Sequence, residues 1–219
     1  MDFPTMIRNQ NWDGVLARLE VNPSDAEQDL VVTTRGGFTS TTGFTPLHYA
    51  CERRPPVEVV DALISACPKA VATRAMPGGA LPLHVAATWY APVDVVNALI
   101  IADRNACKTH DELGNLPLHS ACFSGTSLHV FEALLRAYPK STLVRNHQGS
   151  LPEEITKRLR HDERRNILMI LGVWKEQLLA KREKKHRRNR SAGAPLAHVT
   201  EAPPGNPQYP TGEQELQWV

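Results

Sequence analysis

Histidine and cysteine stand three apart twice in this chain, as His48 and Cys51 in TPLHYAC and as His119 and Cys122 in LPLHSAC. That spacing sets both side chains on one helical face, where each could ligate a borderline-soft metal such as zinc. A third copy of the phrase, LPLHVAA, keeps His84 but has Ala87 in the cysteine's place. One pair supplies two ligands, and a structural zinc site takes four. Equivalent positions on stacked helices lie about 10 Å apart, too far for three histidines to share an ion. The phrase therefore reads as scaffold, with no metal and no cofactor.

Set on their prolines, the phrases fall at Pro46, Pro82 and Pro117, with a weaker fourth, GSLPEEI, at Pro152; the offsets are 36, 35 and 35 residues. A glycine leads each copy (Gly43, Gly79, Gly114 and Gly149), as a connecting turn with positive φ requires. Eleven residues beyond each of the first three prolines a second pattern opens: VEVVDALISA, VDVVNALIIA and LHVFEALLRA. Its apolar residues keep helical spacing: Val57, Val60, Leu63 and Ile64; Val93, Val96, Leu99 and Ile100; Leu128, Phe131, Leu134 and Leu135. One unit is a short helix, a tight turn, a longer amphipathic helix and a loop of about ten residues. So small a unit cannot bury a core alone, so the copies must stack. The pattern predicts an all-α solenoid of helix-turn-helix units.

The stretch GFTPLHYAC at 43–51 resembles the ankyrin repeat, whose signature is T-P-L-H-x-A at a period near 33 residues. GALPLHVAA and GNLPLHSAC keep its Gly, Pro, Leu, His and Ala, with Leu81 and Leu116 where Thr45 stands. The likeness covers residues 43–172, as repeats at about 43–78, 79–113 and 114–148 and a degenerate one at 149–172. Thr45 is expected to cap its helix, and Pro46, Pro82 and Pro117 suit a first helical position whose N–H has no partner. Leu47, Leu83 and Leu118 point to the core, and Ala50, Ala86 and Ala121 let helices approach closely. Leu81 and Leu116 cannot cap as threonine does, a loss of about 1 kcal/mol each. In the resembled family the motif histidine ties backbone groups together at the junction between repeats. The resemblance thus assigns His48, His84 and His119 the same structural part.

The 219 residues carry a net charge of +2, unevenly spread. Between Lys157 and Arg190 there are 13 Lys/Arg against four Asp/Glu, which leaves 12 against 19 elsewhere. A mildly acidic body with a basic extension is the expectation. Residues 1–42 read as N-terminal capping helices and a long loop. Ile7, Trp12, Val15, Leu16 and Leu19 suit one helix, with a short second one after Asn22-Pro23. Residues 173–190 read as a basic helical extension, and 191–219, with five prolines, as a disordered tail. No apolar run reaches the roughly 18 residues of a membrane span, and MDFPTMIRNQNW does not read as a secretory signal. Without a CxxC pair or a disulfide framework, the expected setting is intracellular, cytoplasmic or nuclear. Four free thiols are expected, Cys107 the most exposed of them.

The resemblance implies a non-enzymatic scaffold or adaptor that binds a protein partner along a concave groove. Carried over by position, its helix-face sites are Glu52, Arg53, Thr88, Trp89, Phe123 and Ser124. Its loop-tip sites are Phe44, Ala80, Glu112, Leu113, Asn115, His147 and Gln148. Trp89 and Phe123 are either binding anchors or packed against a neighbouring repeat; Tyr90 is expected to look into the turn. A basic patch comprises Lys181, Arg182, Lys184, Lys185, Arg187, Arg188 and Arg190. It reads as an import signal, a contact for nucleic acid or acidic lipid, or a solvated helix end. Ser191, after RRNR, suits a basic-directed kinase. Motifs for phosphate-binding loops, nucleophile elbows, zinc proteases and dinucleotide folds are missing, which argues against an enzyme and a small-molecule substrate.

Overall fold

The computed structural model describes residues 2–27, 31–33, 39–41, 44–158 and 163–192. Its packing divides the chain into two units, Met1–Arg182 with the repeats and Glu183–Val219. The disordered tail read at 191–219 lies outside the described residues from residue 193 onward.

Each proline-led phrase opens a short helix: α3 at Pro46–Glu52, α5 at Pro82–Thr88, α7 at Pro117–Ser124 and α9 at Pro152–Lys157. Proline takes the first turn in each, where the missing N–H costs nothing. The longer partners are α4 at Val57–Ala66, α6 at Val93–Ala102 and α8 at Leu128–Ala137. Each of these stops at an extended residue (Cys67, Asp103 or Tyr138) and is followed by a turn of 3-10 helix, at Pro68–Ala72, Arg104–Lys108 and Pro139–Leu143. The expected plain loop thus carries local helical structure, which buries Ala70, Val71, Ala106 and Cys107.

Neighbours pack like on like. The short helices α3, α5, α7 and α9 stack in order, and so do α4, α6 and α8. Val59, Val60 and Leu63, then Val95, Val96 and Leu99, then Val130, Phe131, Leu134 and Leu135 are buried between them. Each such side chain contributes about 1.5–3 kcal/mol on burial. The buried arc is displaced from the sequence stripe. Val57, Val93 and Leu128 are only half-buried, while Val59, Val95 and Val130 lie in the core. A helix pressed by its own short partner and by neighbours on both sides turns Val59, Val95 and Val130 inward.

The N-terminal segment corrects the single long helix expected there. It forms α1 at Phe3–Arg8 and α2 at Trp12–Val21, then a 3-10 turn at Pro23–Glu27. Gln10 takes a φ of 57°, which breaks the helix, and the Asn11 side chain restarts it by accepting from the Gly14 N–H at 3.1 Å. With α1 against α3 and α2 against α4, this pair caps the stack as a further repeat would. Within the expected long loop, β1 at Val31–Thr33 pairs antiparallel with β2 at Thr39–Thr41.

At the other end, α10 runs from Arg164 to Ala192. Ile167 and Leu171 join the core, and Ile170 and Trp174 pack against it. Lys175 Nζ donates to Glu153 Oε2 at 2.9 Å, fastening this helix to α9. Among the described residues no helix is long and apolar enough to cross a membrane.

Candidate interaction surface

The three histidines are buried, and each engages backbone through both ring nitrogens. Nδ1 of His48, His84 and His119 accepts the N–H of the residue before the motif proline (Thr45, Leu81 and Leu116) at 3.2, 3.2 and 3.1 Å. Nε2 of His48 and of His84 meets a carbonyl of the next unit, Ala80 O at 3.1 Å and Asn115 O at 3.0 Å, whereas that of His119 meets Val144 O of its own unit at 3.1 Å. A backbone N–H only donates and a carbonyl only accepts. Each ring is therefore neutral, protonated on Nε2, with its one lone pair already used. Burial holds His48 and His84 down at about 4, and lowers His119 as well. Such rings have no lone pair to offer a metal.

The same geometry revises the capping expectation. The helix start is closed from within, by the third helical residue reaching back, so Leu81 and Leu116 serve as well as Thr45 in this respect. In the fourth copy Glu154 Oε2 takes the Leu151 N–H at 2.9 Å, which lowers its carboxyl pKa. The Thr45 hydroxyl is itself 2.9 Å from His48 Nδ1.

All four cysteines are free and buried, which corrects the expected exposure of Cys107, only 3% accessible. Burial pushes Cys107 up to about 11 and Cys51 and Cys122 up to about 12. Thiolate is the reactive form, so a disulfide-exchange reagent at pH 8 should leave Cys51, Cys107 and Cys122 of the native protein largely unlabelled, and burial alone should slow Cys67. Denaturant should release all four together. Rapid labelling of Cys107 without denaturant would contradict its placement.

The carried-over surface positions divide into two edges, separated by the short helices, which span about 10 Å at 1.5 Å per residue. On the loop edge, successive tips are stitched together. Glu112 N–H donates to Gly78 O at 2.9 Å, and His147 N–H to Leu113 O at 3.0 Å. Glu112, Leu113, His147 and Gln148 are exposed there, and Ala80 is half-buried. Phe44, also half-buried, packs its ring against Tyr49 and His48 at centroid distances of 4.6 and 5.1 Å. Asn115 does not belong to this surface. It is buried, its Nδ2 donating to Asp111 Oδ2 and its Oδ1 accepting from Asn146 Nδ2 at 2.9 Å. Its side chain holds two loops in register, a structural part that a polar letter at a loop tip does not announce.

The other edge is the turn from first to second helix, and it brings Glu52, Arg53, Thr88, Trp89, Phe123 and Ser124 into neighbouring repeats. Trp89 and Phe123 are each 50% exposed. Thr88 is engaged, its hydroxyl donating to His84 O at 2.9 Å. Sequence reasoning missed a ladder here. Gln10, Arg54 and Tyr90 all have positive φ, at 57°, 55° and 59°. Each sends its side chain to a backbone carbonyl in the next repeat: Gln10 Nε2 to Arg53 O at 3.2 Å, Arg54 Nε to Trp89 O at 3.3 Å, Tyr90 Oη to Ser124 O at 2.6 Å. Tyr90 thus reaches along the surface and does not turn inward as expected. The signal was available, since proline alignment places Arg54 and Tyr90 opposite Gly125, whose φ is 70°. A bulky residue in this conformation is strained by about 1–2 kcal/mol, and the ladder bond offsets part of that.

In the basic patch, Lys181, Arg182, Lys184, Lys185, Arg187 and Arg188 are exposed on the last turns of α10. Arg190 falls on the same helix.

Comparison with known proteins agrees with this geometry. The ankyrin-repeat family model matches residues 42–72, the first full unit. No curated protein matches the chain. Beyond that one matched unit the same helix pair and loop stitch recur at the same period, so the array is built of units similar to the ankyrin repeat.

Proposed function

We propose that this protein is a non-enzymatic scaffold or adaptor that holds a protein partner against the turn edge of its repeats. Ankyrin repeats generally mediate protein–protein interaction. The observation that carries the reading is the pair Trp89 and Phe123, half-exposed on adjacent repeats whose turns are pinned to each other by Arg54 and Tyr90. Aromatic side chains on a rigid support are the usual anchors of an interface. Glu112, Leu113, His147 and Gln148 supply a second line of contact on the loop edge.

Affinity capture with the full-length protein, and with Trp89→Ala and Phe123→Ala combined, tests this. The double variant should lose its partner by roughly thirtyfold or more in affinity, given about 2 kcal/mol for a central aromatic, with its melting temperature nearly unchanged. A partner held equally well by both proteins would rule out the turn edge. The exposed cations of Lys181–Arg188 favour a second reading, contact with nucleic acid or another polyanion. Capture that disappears with added salt or nuclease, and that Lys181→Gln with Lys184→Gln and Lys185→Gln abolishes, would select it.

A further inference from the structure

The turn edge carries charge as well as aromatic surface. Arg53 and Arg54 are consecutive, and their guanidinium groups offer ten N–H donors. Arg53 Nε is shut off from solvent and has no hydrogen-bond partner among the described residues. Its nearest carboxylate, Glu52, stands 3.7 Å from Nη2, beyond hydrogen-bond distance. Arg54 commits one donor, Nε, to Trp89 O, and its guanidinium lies over the Tyr90 ring at 5.4 Å from the centroid. The edge thus presents two cations to one anion, directly beside Trp89.

From this geometry we infer that the turn edge takes an acidic peptide segment of its protein partner, a carboxylate seated on Arg53 and Arg54 and an adjacent apolar side chain against Trp89 and Phe123. The inference deepens the reading proposed above and rests on it. The Arg53 side chain is 38% exposed, which leaves its terminal N–H groups open to an incoming acceptor, and a guanidinium fork matches a carboxylate in bidentate geometry. Arg54 and Tyr90 are strained in backbone and tied in side chain, so the Arg54 cation and the turns that carry Trp89 and Phe123 are held in place before any ligand arrives. Glu52 decides between anions. A neighbouring carboxylate tolerates a monoanion better than the near-dianion of a phosphorylated side chain.

Selection of short random displayed peptides on the full-length protein, with counter-selection on the Trp89→Ala, Phe123→Ala variant, tests the inference. Enriched peptides should pair Asp or Glu with an aromatic or aliphatic residue. Arg53→Gln should weaken the best synthetic peptide by roughly tenfold or more, Arg53→Lys by less, and glutamine or lysine in place of its acid should weaken it similarly. Circular dichroism melts of each variant separate binding loss from unfolding. Enriched peptides that are neutral or basic yet depend on Trp89 would overturn the acidic partner and leave the aromatic edge standing. A phosphoserine replacement that binds tenfold better than glutamate would transfer the site to phosphopeptides. Peptides indifferent to Trp89 and Phe123, or no enrichment at all, would overturn the inference together with the reading beneath it.

Discussion

Unfolding free energy is expected to fall steeply as pH drops from 6.5 toward 4, by about 3 kcal/mol for each of His48 and His84. Both rings are held near 4 by burial, against 6.5 when exposed in the unfolded chain. Between those values the unfolded state binds protons that the folded state refuses, so stability is complete above 6.5 and drains away as pH falls through the folded value. His119 acts in the same direction. Protonating Nδ1 would set an N–H against the N–H of Thr45, Leu81 or Leu116, and the start of each short helix would lose its closure. The summed loss of about 6 kcal/mol is comparable to the whole stability of an ordinary domain, about 5–15 kcal/mol. Urea titrations at steps from neutral pH down to about pH 4.5 would measure it. His48→Gln should destabilise the protein at neutral pH and make the remaining pH slope shallower. A flat profile across the window would mean that these rings are not the neutral bridges described here.

Glycines with the same backbone angle should respond very differently to substitution. Gly114 and Gly149 both have a φ of 75°, so alanine at either carries left-handed strain of about 1–2 kcal/mol. A Cβ on Gly149 would meet nothing within 4 Å, whereas on Gly114 it would lie 2.5 Å from His147 Cδ2 and 2.7 Å from the His147 backbone nitrogen. Relieving that overlap displaces the loop whose His147 N–H bonds Leu113 O and whose Nδ1 meets Glu112 O at 3.1 Å. At about 1 kcal/mol for each bond, Gly114→Ala should cost about 3–4 kcal/mol in all, and Gly149→Ala only the strain. In thermal melts at about 2–4 °C per kcal/mol, Gly114→Ala should melt roughly 5 °C or more below Gly149→Ala. Equal melting temperatures would show that the loop yields freely at His147.

What could be read from the sequence was whatever each repeat says about itself. Pro46, Pro82 and Pro117 mark where the short helices begin, and Val57, Val93 and Leu128 mark their longer partners, because helix starts and amphipathic spacing are local properties. Features made between repeats were harder to see. Asn115 looks like a loop-tip contact until Asp111 and Asn146 are known to lie on either side of it. Arg54 and Tyr90 betray their positive φ only through alignment with Gly125, because the angle is stabilised by carbonyls 35 and 34 residues away. Cys107 seemed exposed because the 3-10 turn that buries it has no strong period. Trp89 and Phe123 were legible as surface candidates, but only the ladder shows the support on which they stand.

The ties between repeats also have a common reach. His48 meets Ala80 across 32 residues, His84 meets Asn115 across 31, Tyr90 meets Ser124 across 34, and Asn146 meets Asn115 across 31. Each needs only the next repeat to be present. A chain emerging during synthesis can therefore lock every unit as soon as its successor is complete, and a whole repeat removed or inserted would bring like groups back together at the splice.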